Sequence, residues 1–122
     1  MRYIASFDIG SSAIKAVLVD RQCRSHHPCS RDYAPNDDAP GEQDPQLWWD
    51  AFCELLQEWR MQGVDTQSLV TLTFSGQMQD MIALDTHGDA VRPAVLYMDA
   101  RAGEQAAKVA AVVGQTHIDQ TM

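Results

Sequence analysis

Between Asp44 and Gly63 the chain carries its strongest constraint. Trp48, Phe52, Leu55, Leu56 and Trp59 recur at helical spacing, so one face of one helix holds two indoles, a phenyl ring and two leucines. A stripe that apolar has to be buried, and 122 residues leave room for one compact domain at most. The ends of the segment agree with a helix. Asp44 offers an N-cap oxygen, Pro45 suits the first helical position, Gly63 can close the far end, and Asp50, Glu54 and Glu58 lie on other faces.

What the helix packs on is foreshadowed upstream. Tyr3 to Asp8 and Ala13 to Asp20 are β-type runs separated by Gly10, Ser11 and Ser12, the pattern of a hairpin. Gln22 to Tyr33 is polar and reads as an edge-like third strand whose exposed face carries Arg24, His26 and Arg31. Ala34 to Pro45, with three prolines, reads as a loop. Beyond the helix, Leu69 to Phe74 alternates with Val70, Leu72 and Phe74 on one side, the period of a half-buried strand. Met81 to Asp85 and Ala94 to Tyr97 are short strand candidates around a His87-Gly88-Asp89 turn, and Arg101 to Val113 is a helix ended by Gly114. This order argues for an α/β or α+β layer with helices on a mixed sheet. The tail from Thr116 to Met122 supplies no closing element, so the domain is expected to be truncated.

Charge and composition exclude several function classes. Seventeen acidic residues against nine scattered basic ones, a net charge of -8, oppose binding to a phosphate backbone, so no nucleic acid partner is expected. The longest apolar run is far below the roughly 18 residues needed to cross a bilayer, and the opening run breaks at Asp8 too soon for a signal peptide. A soluble, cytoplasmic protein with no membrane partner is the expectation. Cys23, Cys29 and Cys53 form no framework and should be free thiols.

Chemistry has two candidate locations. In Asp8-Ile9-Gly10-Ser11-Ser12, with Lys15 on the strand leaving the turn, backbone N–H groups can point at phosphate oxygens, the two hydroxyls add donors, and the carboxylate can hold a hydrated Mg2+. A plain hairpin turn has the same description. In the second half, Ser75-Gly76-Gln77-Met78-Gln79-Asp80 follows a strand, and Tyr97-Met98-Asp99-Ala100-Arg101 precedes a helix.

Taken in order, these motifs and the Trp-bearing helix after Asp44-Pro45 resemble the amino-terminal end of the FGGY carbohydrate kinases, nearly from end to end of the chain. Asp8, Gly10, Ser11, Ser12 and Lys15 match the family's D-x-G-T-S turn and the basic residue after it. The stretch Ser75-Gly76-Gln77-Met78, Leu84-Asp85, Gly88, Arg92-Pro93-Ala94, Asp99 and Arg101 is similar to the xylulokinase-like branch. Two departures stand out. Met78-Gln79-Asp80 occurs where that branch has Met-His-Gly, and Tyr97-Met98-Asp99 where it often has Trp-Asn-Asp. Glutamine hydrogen-bonds hydroxyls as histidine does but cannot titrate.

The resemblance implies an α/β fold of the ribonuclease-H-like, actin-like kind, with residues 1–122 as a partial amino-terminal domain. It implies ATP and Mg2+ as cofactors and phosphorylation of a ketose-type sugar or polyol hydroxyl. Asp8 would help hold the metal, Gly10, Ser11, Ser12 and Lys15 would face the phosphates, and Gln77, Met78, Gln79, Asp99 and Arg101 would belong to the sugar site. The general-base aspartate is expected outside this chain, so the isolated chain should not turn over. The alternative is a non-catalytic remnant, or half of a split protein that binds a partner chain through its uncovered apolar stripe around Trp48 and Trp59 and an open sheet edge.

Plainer readings accompany these residues. Asp99 would serve as a helix N-cap, Gln77 and Gln79 as polar groups at a strand end, Asp80 as a turn residue and Lys15 as a solvated strand residue. Cys23, His26, His27 and Cys29 contain four potential zinc ligands, but an extended segment puts His26 on the face opposite the other three.

Overall fold

The computed structural model describes residues 1–114 together with His117 and Asp119. The expectation for the tail therefore falls largely outside the described residues.

The hairpin forms as expected. Strands β1 (Tyr3–Ile9) and β2 (Ala13–Val19) pair antiparallel, and β3 (Ser25–Asp32) adds to β2 as an edge strand. The chain then crosses through β4 (Glu42–Gln43) and helix α1 (Gln46–Met61) to β5 (Leu69–Gly76), which lies parallel to β1. The sheet order is β3-β2-β1-β5, a mixed sheet. Finally β6 (Ala94–Val95) pairs antiparallel with β4, and α2 (Gly103–Val113) follows.

Helix α1 covers one sheet face, and its stripe is the core. Leu55 and Trp59 are fully buried with Phe7, Ile14 and Leu18, joined by Ala5, Ala16, Tyr33 and Ala51. Burial of each such large side chain contributes about 1.5–3 kcal/mol. Phe7 is the hub: Phe52, Trp59 and Phe74 lie around it with ring centroids 4.8, 5.4 and 5.4 Å away. The ends of α1 follow the local chemistry. The Asp44 carboxylate accepts the Gln46 N–H at 2.9 Å. At the far end Gly63 sits at φ +85°, where its N–H reaches Arg60 O and the Val64 N–H reaches Trp59 O, closing the helix in a Schellman turn.

Several expectations are corrected. The Ala34–Pro45 stretch is not all loop, because Glu42–Gln43 forms β4. Met81 to Asp85 is no strand, making only the isolated bridges Met81↔Val95 and Leu84↔Ala90. The Ala94–Tyr97 candidate shortens to two residues, and α2 begins at Gly103. Arg31 is not on an exposed face: it reaches α1, with NH2 2.7 Å from Glu58 Oε2 and Nε 3.2 Å from Glu54 Oε2. The reason is an irregularity in β3 opposite Val17, where His27 takes φ +48° and the alternation of sides shifts. Trp59 is not an uncovered surface either, being 1% exposed.

Strand β5 forms, but it is not half-buried as expected. Val70, Leu72 and Phe74 are 44%, 43% and 53% exposed, and α2 contains no buried residue among those described. The apolar surface left open thus includes β5 and α2, together with Trp49 and Met61 on α1 and Ile82, Leu84 and Val91 in the loops after β5. No helix among the described residues is long and apolar enough to cross a membrane, and all three cysteines are free.

Candidate functional site

The register of the sheet assembles the first part of the site. Asp8, near the end of β1, stands directly opposite Lys15 on β2 and Ser75 on β5. Paired residues share a side of the sheet, and Phe7 and Ala5 face α1, so Asp8, Lys15 and Ser75 project from the side away from α1. Ser75 Oγ donates to Asp8 Oδ1 at 2.7 Å. Among the described residues, the other Asp8 oxygen receives no hydrogen bond.

Beyond Asp8 the chain turns tightly. The Gly10 N–H donates to Ala13 O at 3.0 Å, and a Cβ at Gly10 would meet that oxygen at 3.0 Å, so glycine is needed for the close approach. The N–H groups of Ser11 and Ser12 donate to no group among the described residues. Unengaged N–H groups in a turn, next to a carboxylate with a free oxygen, make a donor set suited to phosphate oxygens and a divalent cation. The residues present therefore fit a Mg2+-bound nucleotide phosphate.

The second wall comes from the segment after β5. The Gln77 N–H donates to Ile9 O at 3.1 Å, extending the parallel ladder, and Gln77 Nε2 lies 3.4 Å from Gly10 O. Gln79 adopts φ +69°, a left-handed conformation that non-glycine residues enter at a cost and that clusters at functional sites. Asp80 reaches across to the next loop, its Oδ1 accepting the Tyr97 N–H at 2.8 Å. Together Asp8, Gly10, Ser11, Gly76, Gln77, Met78, Gln79 and Tyr97 enclose an open cleft of about 450 Å³.

The structure thus brings Asp8, Gly10, Ser11, Gln77, Met78 and Gln79 to one cleft. Ser12 and Lys15 adjoin it without forming its wall. Asp99 and Arg101 lie elsewhere, in an ion network. Arg101 Nε and NH2 are each 2.7 Å from an Asp99 oxygen, Arg101 NH1 is 2.6 Å from Glu42 Oε1, and Arg92 NH2 is 2.5 Å from the same oxygen. The Arg101 guanidinium holds the Asp99 carboxyl down to about 2, and it also holds Glu42 below the ordinary range. Gly41 leaves the room that the Asp99 carboxylate fills. This network ties the β4–β6 ribbon to the start of α2.

Other groups join the site that sequence reading did not place there. Ser75 completes a row of hydroxyls, Thr71, Thr73 and Ser75, whose two-residue spacing marks a polar strand face. Tyr97 lines the cleft, half-exposed, and only the fold brings it to the same cleft as Gln79. Tyr33 lies behind the turn, 8% exposed, with a hydroxyl that meets no partner among the described residues. Burial, reinforced by the charge of Asp8, pushes its phenol up to about 12. The two histidines of β3 are engaged separately, His26 Nε2 meeting Asp20 Oδ2 at 2.9 Å and His27 Nδ1 meeting Gln62 Oε1 at 2.8 Å, while Cys23 and Cys29 are free thiols.

Comparison with known proteins points the same way. Residues 3–121 match the FGGY family of carbohydrate kinases, N-terminal domain. The xylulose kinase of Staphylococcus xylosus is 31% identical over 107 residues, 86% of this chain and 22% of that protein. The xylulose kinase of Lactococcus lactis is 30% identical over 99% of this chain and 25% of its own length. Among solved structures, the xylulose kinase of Rhodospirillum rubrum superposes with a TM-score of 0.83 at 26% identity, over 95% of this chain and 24% of that one. The chain spans between a fifth and a quarter of the length of these three relatives.

Proposed function

The chain belongs to the FGGY family of carbohydrate kinases and has their ribonuclease-H-like, actin-like α/β fold; from that premise we propose that it supplies the phosphate turn and part of the sugar pocket for ATP-dependent phosphorylation of a ketose-type sugar or polyol hydroxyl. Residues 1–122 are on this reading a partial amino-terminal domain. The observation that carries it is the meeting, at one cleft, of Asp8, Ser11 with its unengaged N–H and the Gln77-Met78-Gln79 wall, with the unengaged Ser12 N–H one residue further along the same turn.

Phosphoryl transfer makes limited demands on the protein beyond positioning and charge. The Ser11 and Ser12 N–H groups and hydroxyls grip phosphate oxygens, and Lys15, one strand from Asp8, adds positive charge beside them. Asp8, oriented by Ser75, holds Mg2+, which when bound neutralises phosphate charge. Met78 and Gln79 face the acceptor sugar, where the Gln79 amide both donates to and accepts from hydroxyls. Asp99 and Arg101, away from that pocket, act on it only through the loop that carries Tyr97, which their ion network with Glu42 ties to the β4–β6 ribbon. The aspartate that takes the hydroxyl proton lies outside these residues, so the chain alone binds without turning over.

Titration of the chain with Mg-ATP tests this. Saturable, Mg2+-dependent binding that falls at least about tenfold in Asp8→Ala is expected, a loss of roughly 1.4 kcal/mol or more. Undiminished Mg2+-dependent binding in Asp8→Ala removes the assignment of the turn.

The open apolar surface of β5 favours a second reading, a non-catalytic module that binds a partner chain. Phosphorylation restored by adding the downstream part of a family member would show a split enzyme; a stable complex without turnover would show the binding module.

A further inference from the structure

Three carbonyls of the phosphate turn are each held from outside it. Gly10 O accepts from Gln77 Nε2 at 3.4 Å, Ser11 O from Gln43 Nε2 at 3.2 Å, and Ser12 O from the Tyr33 N–H at 2.9 Å. A trans peptide is planar and its N–H points opposite to its C=O, and the described backbone contains no cis bond. Holding Gly10 O therefore directs the Ser11 N–H the other way, and holding Ser11 O does the same for the Ser12 N–H. These are the two N–H groups that donate to nothing among the described residues.

The two glutamine amides are themselves constrained. Trp48 Nε1 can only donate, and it meets Gln43 Oε1 at 2.6 Å, so the other end of that amide is the nitrogen that faces Ser11 O. Gln43 is 8% exposed, and its backbone is fixed by pairing with Ala94 in the β4–β6 ribbon. For Gln77, a backbone carbonyl can only accept, so its nitrogen must face Gly10 O. Its Oε1 is then buried with no donor among the described residues, a costly arrangement of the kind that persists where function needs it.

We propose that Gln43, locked by Trp48, and Gln77 are positioning residues of the phosphate turn. Their amides hold the Ser11–Ser12 and Gly10–Ser11 peptide planes so that the Ser12 and Ser11 N–H groups stay directed at the terminal phosphates of a nucleotide. This rests on the kinase reading above, and it moves Gln77 from the sugar pocket to the phosphate side. Peptide planes set before the ligand arrives need no ordering when it binds, which is how a neutral amide remote from the phosphate influences affinity.

The test is nitrogen-15 NMR of the full chain titrated with Mg-ATP, with thermal melting of every variant alongside. In the wild type the Ser11 and Ser12 amide resonances move on saturation. Gln43→Met weakens Mg-ATP binding about tenfold and diminishes the Ser12 shift, Trp48→Phe weakens it less, and Gln77→Met, whose contact is longer, weakens it least and diminishes chiefly the Ser11 shift. Gln43→Met that only melts lower, with wild-type affinity and an unaltered Ser12 shift, overturns the positioning role and leaves the phosphate reading standing. A wild-type chain whose Ser11 and Ser12 amides ignore Mg-ATP removes the phosphate reading and the positioning role together. If Gln43→Met does not fold, Trp48→Phe and Gln77→Met decide by the same criteria.

Discussion

The part of the chain before β5 and the part that begins with it are stabilised by different means. The first wraps a sheet around α1 and buries Ala5, Phe7, Ile14, Leu18, Leu55 and Trp59; in the second, only Ala94 and Leu96 are buried among the described residues. The second part relies on polar ties instead. Asp85 caps its turn by accepting from the His87 and Asp89 N–H groups, Asp80 holds Tyr97, and Glu42 gathers Arg92 and Arg101. The cleft lies on the seam between them, with the Asp8 turn supplied by the packed part and the Gln77–Tyr97 wall by the polar one. A packed wall facing a lightly anchored one agrees with the proposed function, in which the site grips phosphates and closes on a second substrate, since mobile elements come from the low-stability end of a structure.

The contrast can be broken most sharply at Leu55. Leu55→Ala should cost about 3 kcal/mol, within the range of roughly 2–5 for emptied core sites, in denaturant unfolding. A loss as small as that of a β5 substitution would mean that α1 is not the core. Gly63→Ala comes next. Nothing stands within 4 Å of the added methyl, so only the φ of +85° opposes it, and a cost of about 1–2 kcal/mol is expected from the same unfolding curves. The third test concerns the polar part, where the effect is local. Asp99 has its folded pKa lowered to about 2 from 3.8, so its contribution is complete above the unfolded value and disappears as pH falls through the window from about 4 to 2. Protection of the Arg101 amide, taken as its exchange rate relative to the intrinsic rate at each pH, should therefore fall across that window in the wild type and show no such fall in Asp99→Asn. Smallest is Leu72→Thr, 43% exposed in the wild type, which should shift stability by less than about 0.5 kcal/mol. A larger loss would show that β5 is covered in solution, by a second chain or by itself.

How much of this was legible beforehand depends on the range of the interaction. The β1–β2 hairpin, the Asp44 and Gly63 ends of α1, and the His87-Gly88-Asp89 turn are each governed by residues within a few positions of one another, and all were readable. The polar run of β3 was readable as an edge strand, but the reversal of sides at His27 was not, because a bulge has no periodic signal. Strand β4, and its pairing with the expected strand at Ala94, escaped for a related reason: two residues carry no period, and the partners lie about fifty positions apart. At the site, Asp8, Gly10 and Ser11 were visible as a turn motif, and their resemblance to a kinase family named the rest. That Asp99 and Arg101 spend their charges on each other and on Glu42, 59 residues before Arg101, was invisible until the chain folded.

By itself, then, the order of residues determined the local elements, the apolar stripe that had to become the core, and the family. Only tertiary structure decided that β5 pairs parallel with β1, that Ser75 thereby orients Asp8, and that Gln43 and Gln77 reach the turn from 32 and 67 residues away. The physical reason is the same in each case. Caps, turns and helical periodicity are settled by short-range sterics and hydrogen bonds, whereas strand order and the partners of buried amides depend on which distant surfaces meet when the core closes.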